Sequence, residues 1–283
     1  MKLLKILCFF FCLPSFLSAQ PYIDILSAHY VNSPQSGLFR QNETAVSFDR
    51  IGINASAPIK IKSHYLIFYP GYEEQKLQYE SQSSSTVQSF YLPTAFVFQW
   101  KDQSWKTAIT YIARVNGNLN GSSDYSKYFQ NGAAILFINK KSDDLKLKYG
   151  AYINDEFFGI FVLPLFGLDW NINDKWQIFG TLPREMFLNR VLSNKSNAGL
   201  VFKARTNSYK ISKEKTDGYF DIRENQLKLF ANTKLYSDIT LFAEAGHTFF
   251  RRTSFTDDTG EQFKDVNDAL IFRVGIAYRV STN

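Results

Sequence analysis

Apolar and polar residues alternate with a period of two along most of the chain, the spacing at which a β-strand presents one face to an apolar phase. In the last such segment Leu270, Phe272, Val274, Ile276, Tyr278 and Val280 share one face, and Arg273, Gly275, Ala277 and Arg279 share the other. Leu241, Ala243 and Ala245 oppose Thr240, Glu244 and Gly246, and Leu227, Leu229 and Ala231 oppose Gln226, Lys228 and Asn232. Leu145, Leu147 and Tyr149 alternate with Lys146, Lys148 and Gly150. Ile59, Ile61, Tyr65, Ile67 and Tyr69 run opposite Lys60, Lys62 and His64. The pattern predicts an all-β chain.

Two architectures need such strands: a soluble sandwich and a membrane barrel. Length separates them, because many segments hold the alternation for ten or more residues, against ~5–6 for an ordinary strand and ~9–11 for a spanning one. Connections also alternate in length. Short ones are expected near Ala55–Pro58, Lys101–Ser104, Lys141–Asp144, Asn171–Asp174, Ser193–Ser196 and Tyr236–Asp238. Longer polar ones are expected near Glu73–Thr86, Asn116–Ser126, Thr206–Asp221 and Thr253–Val266, the asymmetry of an outer-membrane barrel with tight inner turns and long outer loops. Trp100 and Trp105 flank one short turn, and Trp170 and Trp176 flank another, so all four are predicted at one interface, where an indole can keep its N–H wet. The reading is an antiparallel up-and-down transmembrane β-barrel of 12–14 strands in one domain, residues 20–283. Phe129–Ile138 and Phe157–Leu168 are apolar on both faces, and the alternation does not say what their inner residues meet.

The start of the chain adds a route. Lys2 and Lys5 precede an apolar stretch from Ile6 to Leu17, with Ser18-Ala19 before Gln20. This is the layout of a cleaved signal peptide, residues 1–19. Both cysteines, Cys8 and Cys12, fall inside it, so the processed chain is expected to lack disulfides, cysteine nucleophiles and zinc–cysteine sites. Aromatic residues make up 17% of the chain, as strands at a membrane interface require. The formal charge of +6 is mild, and no nucleic-acid partner is expected.

The stretch Arg273-Val274-Gly275-Ile276-Ala277-Tyr278-Arg279-Val280 resembles the final-strand signal read by the barrel assembly machinery, with Gly275, Tyr278 and Val280 as its marks. It departs from that signal in ending on Val280 where an aromatic is usual. Leu163-Pro164, Gly167, Trp176, Leu182-Pro183 and Gly199 resemble an uncharacterised family of Gram-negative outer-membrane β-barrel proteins. That resemblance implies a barrel in the outer membrane, with lipid and the assembly machinery as partners, and implies no substrate.

Chemistry is sparse. The histidines are His29, His64 and His247. His247 shares the Leu241 and Ala245 face, away from the lumen, and no catalytic motif surrounds it. Asp143-Asp144 and Asp257-Asp258 are isolated pairs near turns, without the ligand frame of a calcium site. No enzyme, metal or cofactor is expected. If the apolar faces meet lipid, the lumen receives Lys60, Lys62, Arg114, Lys146, Lys148, Lys203, Arg205, Lys228, Arg273 and Arg279, against chiefly Glu224 and Glu244. A basic lumen favours small anionic solutes, so a passive pore is the leading expectation. The alternatives are a non-conducting barrel, whose inner cations are paired and whose loops meet a partner, and third a barrel-embedded hydrolase.

Overall fold

The computed structural model describes residues 22–35, 46–79, 84–120, 124–213, 216–257 and 260–281; the expected signal peptide lies outside them. The strands are β1 (Tyr22–Ser33), β2 (Val46–Ala55), β3 (Ala57–Ile61), β4 (His64–Phe68), β5 (Gly71–Tyr79), β6 (Ser85–Gln99), β7 (Trp105–Gly117), β8 (Phe129–Lys140), β9 (Leu145–Glu156), β10 (Gly159–Asn171), β11 (Trp176–Leu182), β12 (Glu185–Val191), β13 (Ser196–Lys213), β14 (Thr216–Tyr236), β15 (Ile239–Asp257), β16 (Gly260–Asp265) and β17 (Leu270–Ser281). Strand β17 pairs with β1 from Tyr22↔Ser281 to Asn32↔Phe272, which closes the sheet. β2 and β3 together fill one place in the wall, as do β4 with β5 and β16 with β17. The result is a closed antiparallel barrel of 14 strands, the upper of the two counts expected.

Closure removes the sheet's two edges and leaves the apolar face of each strand outside. Leu26, Ile51, Ile53, Ile109, Tyr111, Ile153, Leu229, Val274 and Ile276 are all exposed there. The four tryptophans sit at the short-turn end. Trp100 lies over the outer surface and donates from Nε1 to Thr107 Oγ1 at 2.9 Å, and Trp105 meets Tyr149 edge-on at 5.7 Å.

Several connections differ from expectation. Ala55–Pro58 is not a turn: β2 runs on into β3 past a break at Ser56, and the turn falls at Lys62-Ser63. Pro58 and Pro70 bring no N–H to the ladder. The break is bridged instead by Ala55 N–H to the Pro70 carbonyl and Ser56 N–H to the Ile25 carbonyl, both 2.9 Å. Because the chain reverses at Lys62, Tyr65 and Ile67 face inward and pack with Val97 and Ala108. They do not share the outer face of Ile59 and Ile61. Likewise Thr206–Asp221 is paired strand from Ser196↔Thr233 to Lys213↔Thr216, and β15 pairs with β16 up to Asp257↔Gly260. Both had been expected as loops, because a strand that rises beyond the apolar belt is polar on both faces.

Candidate functional site

The interior is built from the inward row of each strand, and its upper half is filled by the chain itself. The hairpin β13–β14 leaves the wall above Lys203 and leans across the lumen. Lys210 bridges to Gly117 at the top of β7, where Asn118 N–H donates to the Lys210 carbonyl at 2.9 Å. Ser208 fixes the crossing. Its N–H and Oγ donate to Glu156 Oε2 at 3.1 and 2.6 Å. Its Oγ accepts from Gln130 Nε2 and Phe157 N–H, each at 2.9 Å. Gly117 permits the approach, since a Cβ there would run into the Lys210 carbonyl and the Tyr128 ring. On its other side the hairpin buries Tyr209, Phe220 and Ile222 against Val31, Val46, Phe48, Leu77 and Val87. This is an apolar core inside the barrel, at its long-hairpin end.

Beside and below it seven of the expected lumen cations meet acids of the wall. Glu244 receives Lys228 Nζ and Arg273 Nη1, both at 2.5 Å, and Lys203 Nζ at 3.4 Å. Arg114 pairs with Glu156 at 2.7 Å, Lys148 with Asp169 at 2.6 Å, Arg205 with Glu73 at 2.8 Å and Arg279 with Asp24 at 2.6 Å. Lys146 is half-buried beside Lys148 on the same strand. Lys60 lies exposed near the end of the β3–β4 hairpin, in register with Tyr65, and Lys62 forms its turn at φ 57°. Glu156, Asp169 and Asp24 are the partners that the sequence reading missed. Glu73 lay in an expected loop, and Asp169 closes the Phe157–Leu168 stretch whose faces were ambiguous. At the short-turn end aromatics meet across the interior: Tyr22 of β1 lies 6.2 Å from Phe179 of β11, which stacks on Phe187 at 5.0 Å.

One side of the interior is different in kind. The inward residues Ala134, Leu136 and Ile138 of β8, and Phe161, Leu163 and Leu165 of β10, are apolar and only half-buried. They face open space, which answers what the inner residues of the two ambiguous segments meet. The wall is also incomplete here. β11 and β12 are seven residues each, so β10 has no β11 partner above Phe166↔Leu182, and β13 has no β12 partner above Lys203↔Glu185. The gap has Pro183-Arg184 as its sill, Gly159–Leu165 and Ala204–Asn207 as its sides, and the Phe157–Ser208 contact as its apex. Leu163-Pro164 and Leu182-Pro183 lie on its rim, with Gly167 just below.

The histidines stand apart from one another. His64 Nε2 is 3.5 Å from Ser63 Oγ in the exposed β3–β4 turn. His247 is buried opposite Leu227 and Leu270, its Nδ1 2.6 Å from the Thr248 carbonyl oxygen. His29 faces the lumen between Gly52 and Gly275, its Nε2 3.9 Å from Glu73 Oε1. Gly275 of the expected assembly signal is occupied on its inner side by the Phe242 ring, which a Cβ would displace. Tyr278 and Val280 stand in the closing ladder, opposite Leu26 and Ile23.

A closed barrel with an apolar outer belt defines this chain as a β-barrel of the outer-membrane type. Residues 98–282 match the family described as a domain of unknown function, DUF6268, and the chain belongs to that family. No curated protein matches it. Among solved structures it is similar to the COG4313 outer membrane channel from Pseudomonas putida F1, at 6% identity and a TM-score of 0.46, covering 90% of this chain and 95% of that one. It is also similar to the translocator domain of the autotransporter NalP from Neisseria meningitidis, at 12% identity and 0.35, covering 90% and 88%. LpxR from Salmonella typhimurium follows at 7% and 0.35, covering 89% and 98%.

Proposed function

We propose that the protein is an integral outer-membrane barrel shut to passive axial flow at its long-hairpin end, and not an enzyme. The observation that carries this is the β13–β14 hairpin lying across the lumen with its apolar side buried at 0–3% exposure. A passive pore with a basic lumen was the leading expectation. It is weakened because Arg114, Lys148, Lys203, Arg205, Lys228, Arg273 and Arg279 each face a wall carboxylate, and a paired cation offers a passing anion little. The non-enzymatic reading rests on the histidines, which stand in three separate settings.

The test is single-channel recording of the refolded protein in planar bilayers. Wild-type protein is expected to be silent. Gly117→Val, which forces the hairpin off β7, is expected to give discrete openings. Steady wild-type conductance would sink the proposal.

A further inference from the structure

We propose that the barrel takes up a long-chain anionic amphiphile sideways, through the gap between β10 and β13, and seats its anionic head on Arg50 and Arg184. This rests on the reading that the barrel spans a membrane and is shut at its long-hairpin end.

The gap lies at membrane height. Val162 stands eight residues above Trp170 on β10. At ~3.3 Å per residue and a ~40° tilt, that is about 20 Å above the tryptophan level, within a belt ~25 Å tall. Ile160 and Val162 flank it with exposed side chains. A sheet edge cannot stand open to hydrocarbon, because its N–H and C=O groups would lose water without gaining partners; it is tolerated where it lines a cavity. The unpaired edges of β10 and β13 therefore border an interior space. That space is walled by the apolar inner rows of β8 and β10, a surface suited to an alkyl chain.

The polar end of the space is built for an anion. Arg50 faces the interior from β2 at 5% exposure, and its Nε and Nη1 have no partner. Beside it in register on β5, Gln75 is 2% exposed with both amide atoms unpartnered. Buried guanidinium N–H groups left without acceptors are costly, and an anionic oxygen of a carboxylate or phosphate is a strong acceptor for either. Arg184, on the sill of the gap, makes no ion pair among the described residues. Tyr91 lies within electrostatic reach of both Arg50 and Arg184, which groups the two cations around one inner tyrosine. An apolar wall beside unpaired guanidinium groups matches a molecule with a long chain and one anionic head.

The experiment is native mass spectrometry of the full barrel in non-ionic detergent, titrated with oleate, oleyl alcohol and acetate. One oleate per barrel is expected, with the alcohol and the free small anion bound at least tenfold more weakly. Arg50→Gln and Arg184→Gln should each weaken oleate about tenfold in protein that still shows folded-barrel mobility on gels. Val162→Trp, which adds bulk beside the gap on the strand that carries neither cation, should slow loading from bilayers and leave final occupancy unchanged. Oleyl alcohol or acetate binding as tightly as oleate, unchanged binding by both arginine variants, or unchanged loading by Val162→Trp would overturn the proposal. A silent channel that binds no oleate overturns this inference alone. Wild-type conductance overturns the closed barrel instead.

Discussion

Glu244 shows what a single inner carboxylate holds together. Three cations from β13, β14 and β17 converge on it, and its side chain is 6% exposed. Glu244→Gln leaves Lys228, itself 3% exposed, without its charge partner, and breaking a buried pair from one side costs about 3 kcal/mol. Unfolding in urea, followed by loss of heat-modifiable gel mobility, is expected to show a loss of that order. A change near zero would mean that water already screens the cluster. A second residue acts outside the membrane. Asp124 caps the turn Tyr125–Tyr128, accepting from Ser126 N–H at 3.0 Å and Ser126 Oγ at 2.6 Å. Those bonds hold its carboxyl below the usual carboxylate range. The stabilisation is therefore present above about pH 4, the unfolded value, and is lost as pH falls through the lower folded one. The protection factor of the Ser126 amide should fall only under that acid condition, and Asp124→Ala should abolish the protection at neutral pH. The inner cations were legible from sequence because they alternate with leucines and isoleucines. Glu244 was legible in the same way, but Asp169 was not, because an apolar inner row precedes it on β10 and hides the period.

The hairpin β13–β14 is the element on which the closed state turns, and half of it was invisible to periodicity. Up to Lys203 its strands set Leu200, Phe202, Leu227 and Leu229 against Lys203, Gln226 and Lys228, and the strand reading holds. Beyond that Thr206, Asn207, Ser208 and Lys210 are polar on a face that meets the inner surface of β7–β9, not lipid. Polar residues that bind polar residues leave no apolar stripe for a sequence reading to follow. The same limit explains Tyr65 and Ile67: a turn at Lys62 reverses which parity faces inward, and alternation carried through it points both residues the wrong way. The seat of the hairpin makes a separate prediction. Ser208→Ala removes the Oγ donation to Glu156 and the acceptor shared by Gln130 and Phe157, while the backbone N–H to Glu156 stays. It should raise proteolytic cleavage within the hairpin several-fold while global unfolding shifts by only about 1–2 kcal/mol. A loss as large as that of Glu244→Gln would place Ser208 in the barrel's cooperative core and not in a separable plug.

For the whole molecule, one physical contrast decides between a membrane barrel and a soluble one: what the exposed apolar belt costs when charged. A soluble barrel showing Ile109 to water at 50% exposure would tolerate Arg there with little change. A lipid-facing position at mid-belt would not, since a cation near the bilayer midplane costs about 2–4 kcal/mol and one at the interface about 0–1. Ile109 stands four residues above Trp105 on β7, about 10 Å into the belt by the rise and tilt of a spanning strand. Tyr236 closes β14 at the short-turn end and is 80% exposed. Folding free energies measured in lipid vesicles should therefore separate Ile109→Arg from Tyr236→Arg by at least about 2 kcal/mol. Both positions face outward and are at least half exposed, so depth is the main difference between them. Equal and small effects would mean that no hydrocarbon surrounds the belt, and the alternation read from the sequence would then describe a soluble barrel that buries this face against a protein.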